Sequence, residues 1–294
     1  MDQGIEKHDV TKPVDVYKAH GRPGNKPSWS FGAKTMVGTA ASPQSHMWYT
    51  VANGTLNEIY FPDVDQANTR SVRFIVSDGV GFFSDEQWDA SHTVQWIEPG
   101  IPGCHTESRC KAERYTIIKD IITDPVRDTL MMRVSFTTSE SQSALKLFLF
   151  VEPQMGDLGA NNDAWVGHYK GLEMLFSQRN RAFLTVACSH PIHQASCGYM
   201  GKSDGLTALS KQEELPKANL AEKGNVALTG EIDYQNSGGT FTISIACGTD
   251  PAEAAQQARA GLLEEFDKTR TLFAEQWRKR QSEYREIADL SGHE

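Results

Sequence analysis

Apolar and polar positions alternate along most of this chain, most sharply between Asn53 and Gly79, NGTLNEIYFPDVDQANTRSVRFIVSDG. Thr55 to Phe61 and Ser71 to Ser77 keep the period of two that a half-buried strand requires. Ile59, Phe61, Phe74 and Val76 therefore fall on repeating faces and are candidate core. Between these two stretches lies PDVDQANTR, with Asp63, Asp65, Asn68 and Arg70. Such a loop reads either as a solvated turn with Asx hydrogen bonds to its own backbone or as a rigid polar surface for a ligand or partner.

The same texture predicts strands over Met47–Val51, Thr55–Phe61, Val72–Ser77, Thr93–Ile97, Tyr115–Ile122 and Leu130–Thr137, and again over Leu145–Val151, Glu173–Ser177, Phe183–Cys188, Val226–Asp233 and Thr240–Ala246. Turn signals at Asp78, Asp124, Arg179 and Ser237 separate them. Many strands without intervening helices call for packed antiparallel sheets. The length exceeds a seven-strand sandwich, so a large double sheet is expected. At Asp250 the period changes. Asp250 as N-cap, Pro251 at the first helical position and Glu253 two residues on begin a helix. Its pattern runs to about Leu290, with Leu262, Phe266, Phe273, Trp277, Tyr284 and Ile287 as apolar anchors on a charged helix. The part up to about Phe266 is expected to dock on the sheets. The part from Phe273 to Leu290 is expected to fray or to be buried by another copy or another domain. The chain thus divides into an extended lead-in (1–27), a β region (28–249) and a helical connector (250–294).

Charge narrows the partners. Lys and Arg number 29 against 38 Asp and Glu, a net charge of −9, and nucleic-acid binding needs a basic face. No apolar run reaches membrane-spanning length. The start, MDQGIEKHDV, has no basic region leading into an apolar core. The expected compartment is the cytoplasm, or the exterior if a leader has been removed. The five cysteines are Cys104, Cys110, Cys188, Cys197 and Cys247. An odd count does not suggest a disulfide scaffold. Cys104 and Cys110 flank what reads as a short loop and are expected to be free thiols. Their spacing with His105 does not make a metal site. No cofactor is expected.

Several segments together resemble the N-terminal domain of prokaryotic-type glucoamylases and glucodextranases, in glycoside hydrolase family fifteen. They are the Asn53–Gly79 run, SWSFGAKTMVGTA (Ser28–Ala40), DGVGFFSDE (Asp78–Glu86), WIEPGIP (Trp96–Pro102), RYTIIKDIITDPVRDTLMMRVSFT (Arg114–Thr137), NNDAWVGHYKG (Asn161–Gly171), GYMGKSDG (Gly198–Gly205) and GNVALTGEID (Gly224–Asp233). The likeness spans about Gly21 to Phe266. It implies a mainly β fold, a large antiparallel super-β-sandwich of the galactose mutarotase type followed by a C-terminal linker helix. It also implies a partner, the (α/α)6 catalytic barrel, in cis or as a separate chain, and an α-glucan as ligand. In that family the two carboxyl groups of inverting hydrolysis belong to the barrel, so no catalytic residue is carried over. The expected role is non-catalytic, supporting the barrel and the rim of its active site. An autonomous carbohydrate-binding module and a mutarotase-like enzyme are the alternatives. Among nine histidines, His168 in WVGHYKG is best placed for the latter, but its setting reads as packing rather than acid catalysis. Candidate domain-interface or sugar-rim residues are Tyr60, Asp63, Asp65, Asn68, Arg70, Asn161, Asp163 and Trp165, the last because an indole beside carboxylates can stack a pyranose. No metal ligands are assigned.

Overall fold

The computed structural model describes residues 12–13, 15–139 and 144–288. Two antiparallel sheets face each other. The first contains β1 (Met36–Thr39), β2 (Trp48–Ala52), β3 (Thr55–Tyr60), β4 (Thr69–Ser77), β10 (Lys146–Pro153), β16 (Val226–Ile232) and β14 (Ile192–Tyr199) in that spatial order, with β5 (Phe83–Asp85) beside β4. The second runs β15 (Leu220–Gly224), β11 (Asn162–Tyr169), β12 (Leu172–Arg179), β13 (Ala182–Cys188), β17 (Thr240–Gly248), β9 (Thr129–Thr138), β8 (Tyr115–Thr123), β7 (Ile101–Cys110) and β6 (Ala90–Glu98). Two short helices, α1 (Glu86–Asp89) and α2 (Gly205–Ser210), interrupt the strands, and α3 (Pro251–Leu263) and α4 (Phe266–Ala288) follow them.

The main core lies between the sheets. Alternation sends Ile59, Phe74 and Val76 into it with Leu149, Ile117, Leu184 and Ile243, all essentially inaccessible, so the strand faces read from the sequence are the buried ones. Within this core sits an ion pair. Lys119 on β8 reaches Glu86, and its ammonium also donates to the Gly54 carbonyl at 2.9 Å. Glu86 accepts from Ser108 at 2.8 Å and from the Phe74 amide at 3.0 Å. A buried charge persists only when paired and hydrogen-bonded, and here β4, β7 and the β2–β3 turn supply the partners.

That pair hides β7 from the alternation pattern, because the strand's inward positions include Thr106 and Ser108, which face the charge rather than an apolar layer. Cys104 and Cys110 therefore do not flank a loop. They lie in the same strand, six residues and about 20 Å apart at strand rise, and each is a buried free thiol. Burial pushes the Cys104 thiol up to about 12. β11 and β14 are also hidden, the first because NDAWVGHY breaks its apolar run with Gly167 and His168, the second because IHQASCGY is small and polar.

The helices cover the outer face of the second sheet. Asp250 accepts from the amides of Ala252 and Glu253, both at 2.9 Å, and Glu253 reaches back to Thr249 at 2.8 Å, which starts α3 as its sequence predicts. Its buried face is small: Ala252, Ala254, Ala255, Ala258 and Gly261. A Cβ on Gly261 would stand 2.8 Å from the Ser244 hydroxyl, so glycine here lets helix and sheet approach. After a break at Glu264–Glu265, α4 seats Phe266 and Phe273 on Ile101, Ile122 and Met131. This overturns the expectation that the connector separates from the sandwich at Phe273, which is 0% exposed. The Trp277 indole donates to the Thr39 carbonyl at 3.0 Å, Arg133 pairs with Asp267 at 2.6 Å, and Arg278 and Gln281 reach Glu98 and the Gly100 carbonyl. The docking thus continues to Gln281. Tyr284 is exposed, and Leu290 lies outside the described residues.

Candidate functional site

Three segments meet at one end of the first sheet: the β3–β4 loop (61–68), the β10–β11 connection (154–161) and the lead-in around Pro27–Lys34. Asn68 ties the first two together and is itself buried. Its amide group donates to the carbonyls of Phe61 (2.9 Å) and Gln66 (3.2 Å), and its carbonyl oxygen accepts from the Gly156 amide at 3.1 Å. Ala67 and Asp157 exchange a pair of bonds at 2.9 and 2.8 Å. With both ends held, the tip is presented outward: Asp63, Val64 and Asp65 are exposed, Val64 at 61%.

Beneath the loop runs a chain of alternating charges. Arg70 donates to the Ser28 carbonyl at 3.0 Å and to Glu152 at 2.7 Å. Glu152 also binds Arg73, which grips both oxygens of Asp85 at 3.0 and 3.1 Å and donates to Ser71 at 2.9 Å. The Arg73 guanidinium lies 4.9 Å from the Phe150 ring centre. Burial acts to raise the Glu152 carboxyl, but the attraction of Arg73 and Arg70 outweighs it and leaves the group below its usual range. At Asp85 burial prevails over Arg73, and its carboxyl is raised.

The lead-in is held by the same device. Glu58 on β3 binds Ser30 and Thr50, and Lys34 at 2.6 Å. Gln154 donates to the Ser28 carbonyl at 2.8 Å. Trp29, so anchored on either side, stands 73% exposed. With Pro27, Gln154, Asp157 and Leu158 it borders a cleft of about 190 Å³. Tyr60 lies half-buried nearby, its hydroxyl pKa raised by burial and by the anions Glu58 and Asp157.

The structure separates the sequence-selected residues into two groups. Tyr60, Asp63, Asp65, Asn68 and Arg70 share this end, with Asn68 as scaffold and the two aspartates as surface. Asn161 is exposed where the β10–β11 connection ends. Asp163 faces the second sheet instead, accepting from Gln178 and from the Lys223 amide, both at 2.9 Å. Trp165 has no free face for a sugar: it is 2% exposed, stacked on Phe176 with ring centres 5.1 Å apart, and covered by Ala255 and Ala258 of α3. Sequence reasoning missed Trp29, Arg73 and Glu152; Asp85, which with Glu86 and Trp88 reads as an aromatic–carboxylate set for a sugar, is instead buried against Arg73. The available signal was a charge inside an apolar strand, Arg73 in SVRFIVS and Glu152 in LFLFVEP, which demands a buried partner.

Among the described residues no three His, Cys, Asp or Glu side chains gather as metal ligands. Glu58, Asp85, Glu152 and Asp157 are engaged by lysine, arginine or backbone, while Asp63 and Asp65 are exposed, which equips this end to present a shaped surface.

Comparison with known proteins decides the family. The model of glucodextranase domain N matches residues 19–282. The chain belongs to the glucodextranase domain N family. The match extends past Phe266 to include most of α4. A glucoamylase from Clostridium sp. (strain G0005) is 30% identical over 258 residues, 87% of this domain and 37% of that protein. The crystal structure of a bacterial glucoamylase complexed with acarbose superposes with a TM-score of 0.89 at 29% identity, over 92% of this domain and 40% of that chain. An inverting mannosidase of glycoside hydrolase family ninety-two from Bacteroides thetaiotaomicron shares the fold, with a TM-score of 0.50 at 11% identity over 84% of this domain and 34% of that chain. The domain spans about two fifths of the glucoamylases it matches. It is a glucoamylase-type N-terminal super-β-sandwich, with its two antiparallel sheets and C-terminal helices.

Proposed function

We propose that this domain supports the catalytic barrel of an α-glucan hydrolase of the glucan 1,4-α-glucosidase type, in cis or as a separate chain, and forms part of the rim of its active site. The observation that carries this reading is the contrast at the loop end. An exposed tip of Asp63, Val64 and Asp65, beside Trp29 and Leu158, stands on a base held by the Arg70–Glu152–Arg73–Asp85 chain. Apolar side chains held out to solvent on a rigid base suit an interface. The hydrolytic carboxyl pair is assigned to the barrel. The purified domain alone is accordingly expected to release no glucose from maltose, starch or dextran, and turnover that survives exclusion of contaminants would sink the assignment. When the barrel is supplied, Val64→Asp and Trp29→Ala are expected to lower kcat/KM for glucan or the melting temperature of the barrel. If neither quantity moves, the loop end is not the rim.

A further inference from the structure

A second cleft lies on the outer face of the first sheet, far from the loop end. Register builds its floor. Phe148 of β10 pairs with Ile75 on one side and Glu231 on the other, and Glu231 pairs with Gln194 of β14. One step along, Lys146 pairs with Ser77. The period of two puts Lys146 beside Phe148 on the same face. The wall is the turn that follows α2. There the Ala208 carbonyl accepts the Lys211 and Glu213 amides, both at 3.0 Å, and Gln212 takes a left-handed conformation with φ 61°. Glycine usually occupies this place after a helix. Gln194 pins the turn by donating to the Leu215 carbonyl at 3.3 Å. The Gln212 side-chain oxygen is inaccessible and has no hydrogen-bond partner among the described residues.

We propose that this cleft binds a single neutral pyranose, the end of a saccharide chain. Its volume is about 190 Å³. At about 30 Å³ per water, that is room for about six waters or one sugar ring. It falls below the about 300–1,000 Å³ of sites for larger ligands. The lining offers groups that can hold sugar hydroxyls: two carboxamides at Gln194 and Gln212, and a carboxylate and an ammonium at Glu231 and Lys146, 3.5 Å apart, while Phe148 beneath them is 2% exposed and closes the floor without a face for stacking. Amides and carboxylates can each hold a hydroxyl. Glu213, Glu214 and Glu231 outnumber Lys146 in the lining, so a phosphorylated ligand is repelled. The site stands on its own lining and does not depend on the rim reading.

The test is a titration of the isotope-labelled domain, followed by amide resonances, with maltose, glucose 6-phosphate and spermidine as probes. Maltose is expected to produce saturable shifts at about 1–10 mM, centred on the side-chain amides of Gln194 and Gln212. Gln212→Gly is expected to weaken them at least tenfold. Because glycine suits φ 61° better than glutamine does, that variant keeps its fold, and lost binding cannot be ascribed to unfolding. Gln194→Ala is expected to act in the same direction. The proposal is overturned if maltose gives no saturable response, if spermidine alone binds, if glucose 6-phosphate binds as well as maltose, or if Gln212→Gly changes nothing. A maltose response mapping to Trp29 and Asp157 overturns it too, while favouring a sugar-binding rim.

Discussion

Truncating Phe74, Arg73 and Arg70 one at a time separates the framework of the loop end from its presenting surface. Phe74 is 0% exposed in the inter-sheet core and meets Phe241 edge-on, ring centres 6.2 Å apart. Phe74→Ala removes a fully buried ring and is expected to cost about 3–5 kcal/mol. Arg73→Leu removes the cation shared by two carboxylates whose side chains are only 6% and 5% exposed. Asp85 then loses both guanidinium bonds, and Glu152 keeps only Arg70. Breaking a buried pair from one side costs about 3–5 kcal/mol because a charge is stranded. Arg70 is a lesser case, its side chain 24% exposed and Glu152 still held by Arg73 after its loss. Solvent screening reduces such a pair toward the surface value, so Arg70→Ala is expected to cost about 1 kcal/mol. Urea unfolding of the three variants, with a common slope required for the comparison, reads these differences as shifts in midpoint. Against a total stability of about 5–15 kcal/mol, the first two shifts are large. If Arg70→Ala destabilises as much as Phe74→Ala, the loop is architecture, and the division between base and presenting surface is wrong.

Acid should weaken the fold through His92. Burial lowers its pKa, with Lys119 adding to the effect and Glu86 opposing it, so the folded state favours the neutral ring. The associated stability is present above the unfolded value of about 6.5 and is lost as pH falls below it. Urea midpoints at pH 7.5 and 5.5 should differ less in His92→Asn than in the wild type, and an equal difference refutes the role. Phe273→Ala should cost about 3–5 kcal/mol even in a strictly monomeric sample, because Phe273 is buried on Ile101, Ile122 and Met131 of the same chain. Hydrogen exchange in α4 should be slow around Phe273 and Trp277 and fast beyond Gln281. Fast exchange at Phe273 would show that this helix needs a second surface to hold it.

What the sequence made legible follows from what alternation can encode. Strands with one apolar face, such as β4 and β8, declare themselves, and so does the capped start of α3. β7 does not, because its inner face meets Glu86 and Lys119, and those partners come from α1 and β8. The docking of α4 was hidden for a related reason. Its partners Ile101, Ile122 and Met131 lie on the outward side of strands, where the sequence alone gives no cause to expect a cover. Trp165 was misassigned because an indole among Asn161, Asn162 and Asp163 looks solvent-facing until α3 is laid over it. At the candidate site the loop was visible and its base was not. Arg73 and Glu152 are 79 residues apart, and only the pairing of β4 with β10 brings them together.

That base has a physical logic beyond stability. A buried chain of charges is weak evidence for stability, since well-packed apolar residues of similar volume often do as well or better. What apolar packing does not supply is direction. Arg70 must lie where it can meet Glu152 and the Ser28 carbonyl at once, and Gln154 must meet that same carbonyl from the other side. Each bond loses strength steeply with misalignment, so together they hold the Ser28–Trp29 backbone to one course over the end of the sheet. Asn68 does the same for the loop tip through five bonds that involve its side chain and backbone. The two most exposed apolar side chains of this end, Trp29 and Val64, stand on these two directed supports. The exposure is therefore a property of a rigid frame rather than of a loose loop, which is the condition an interface must meet before its partner arrives.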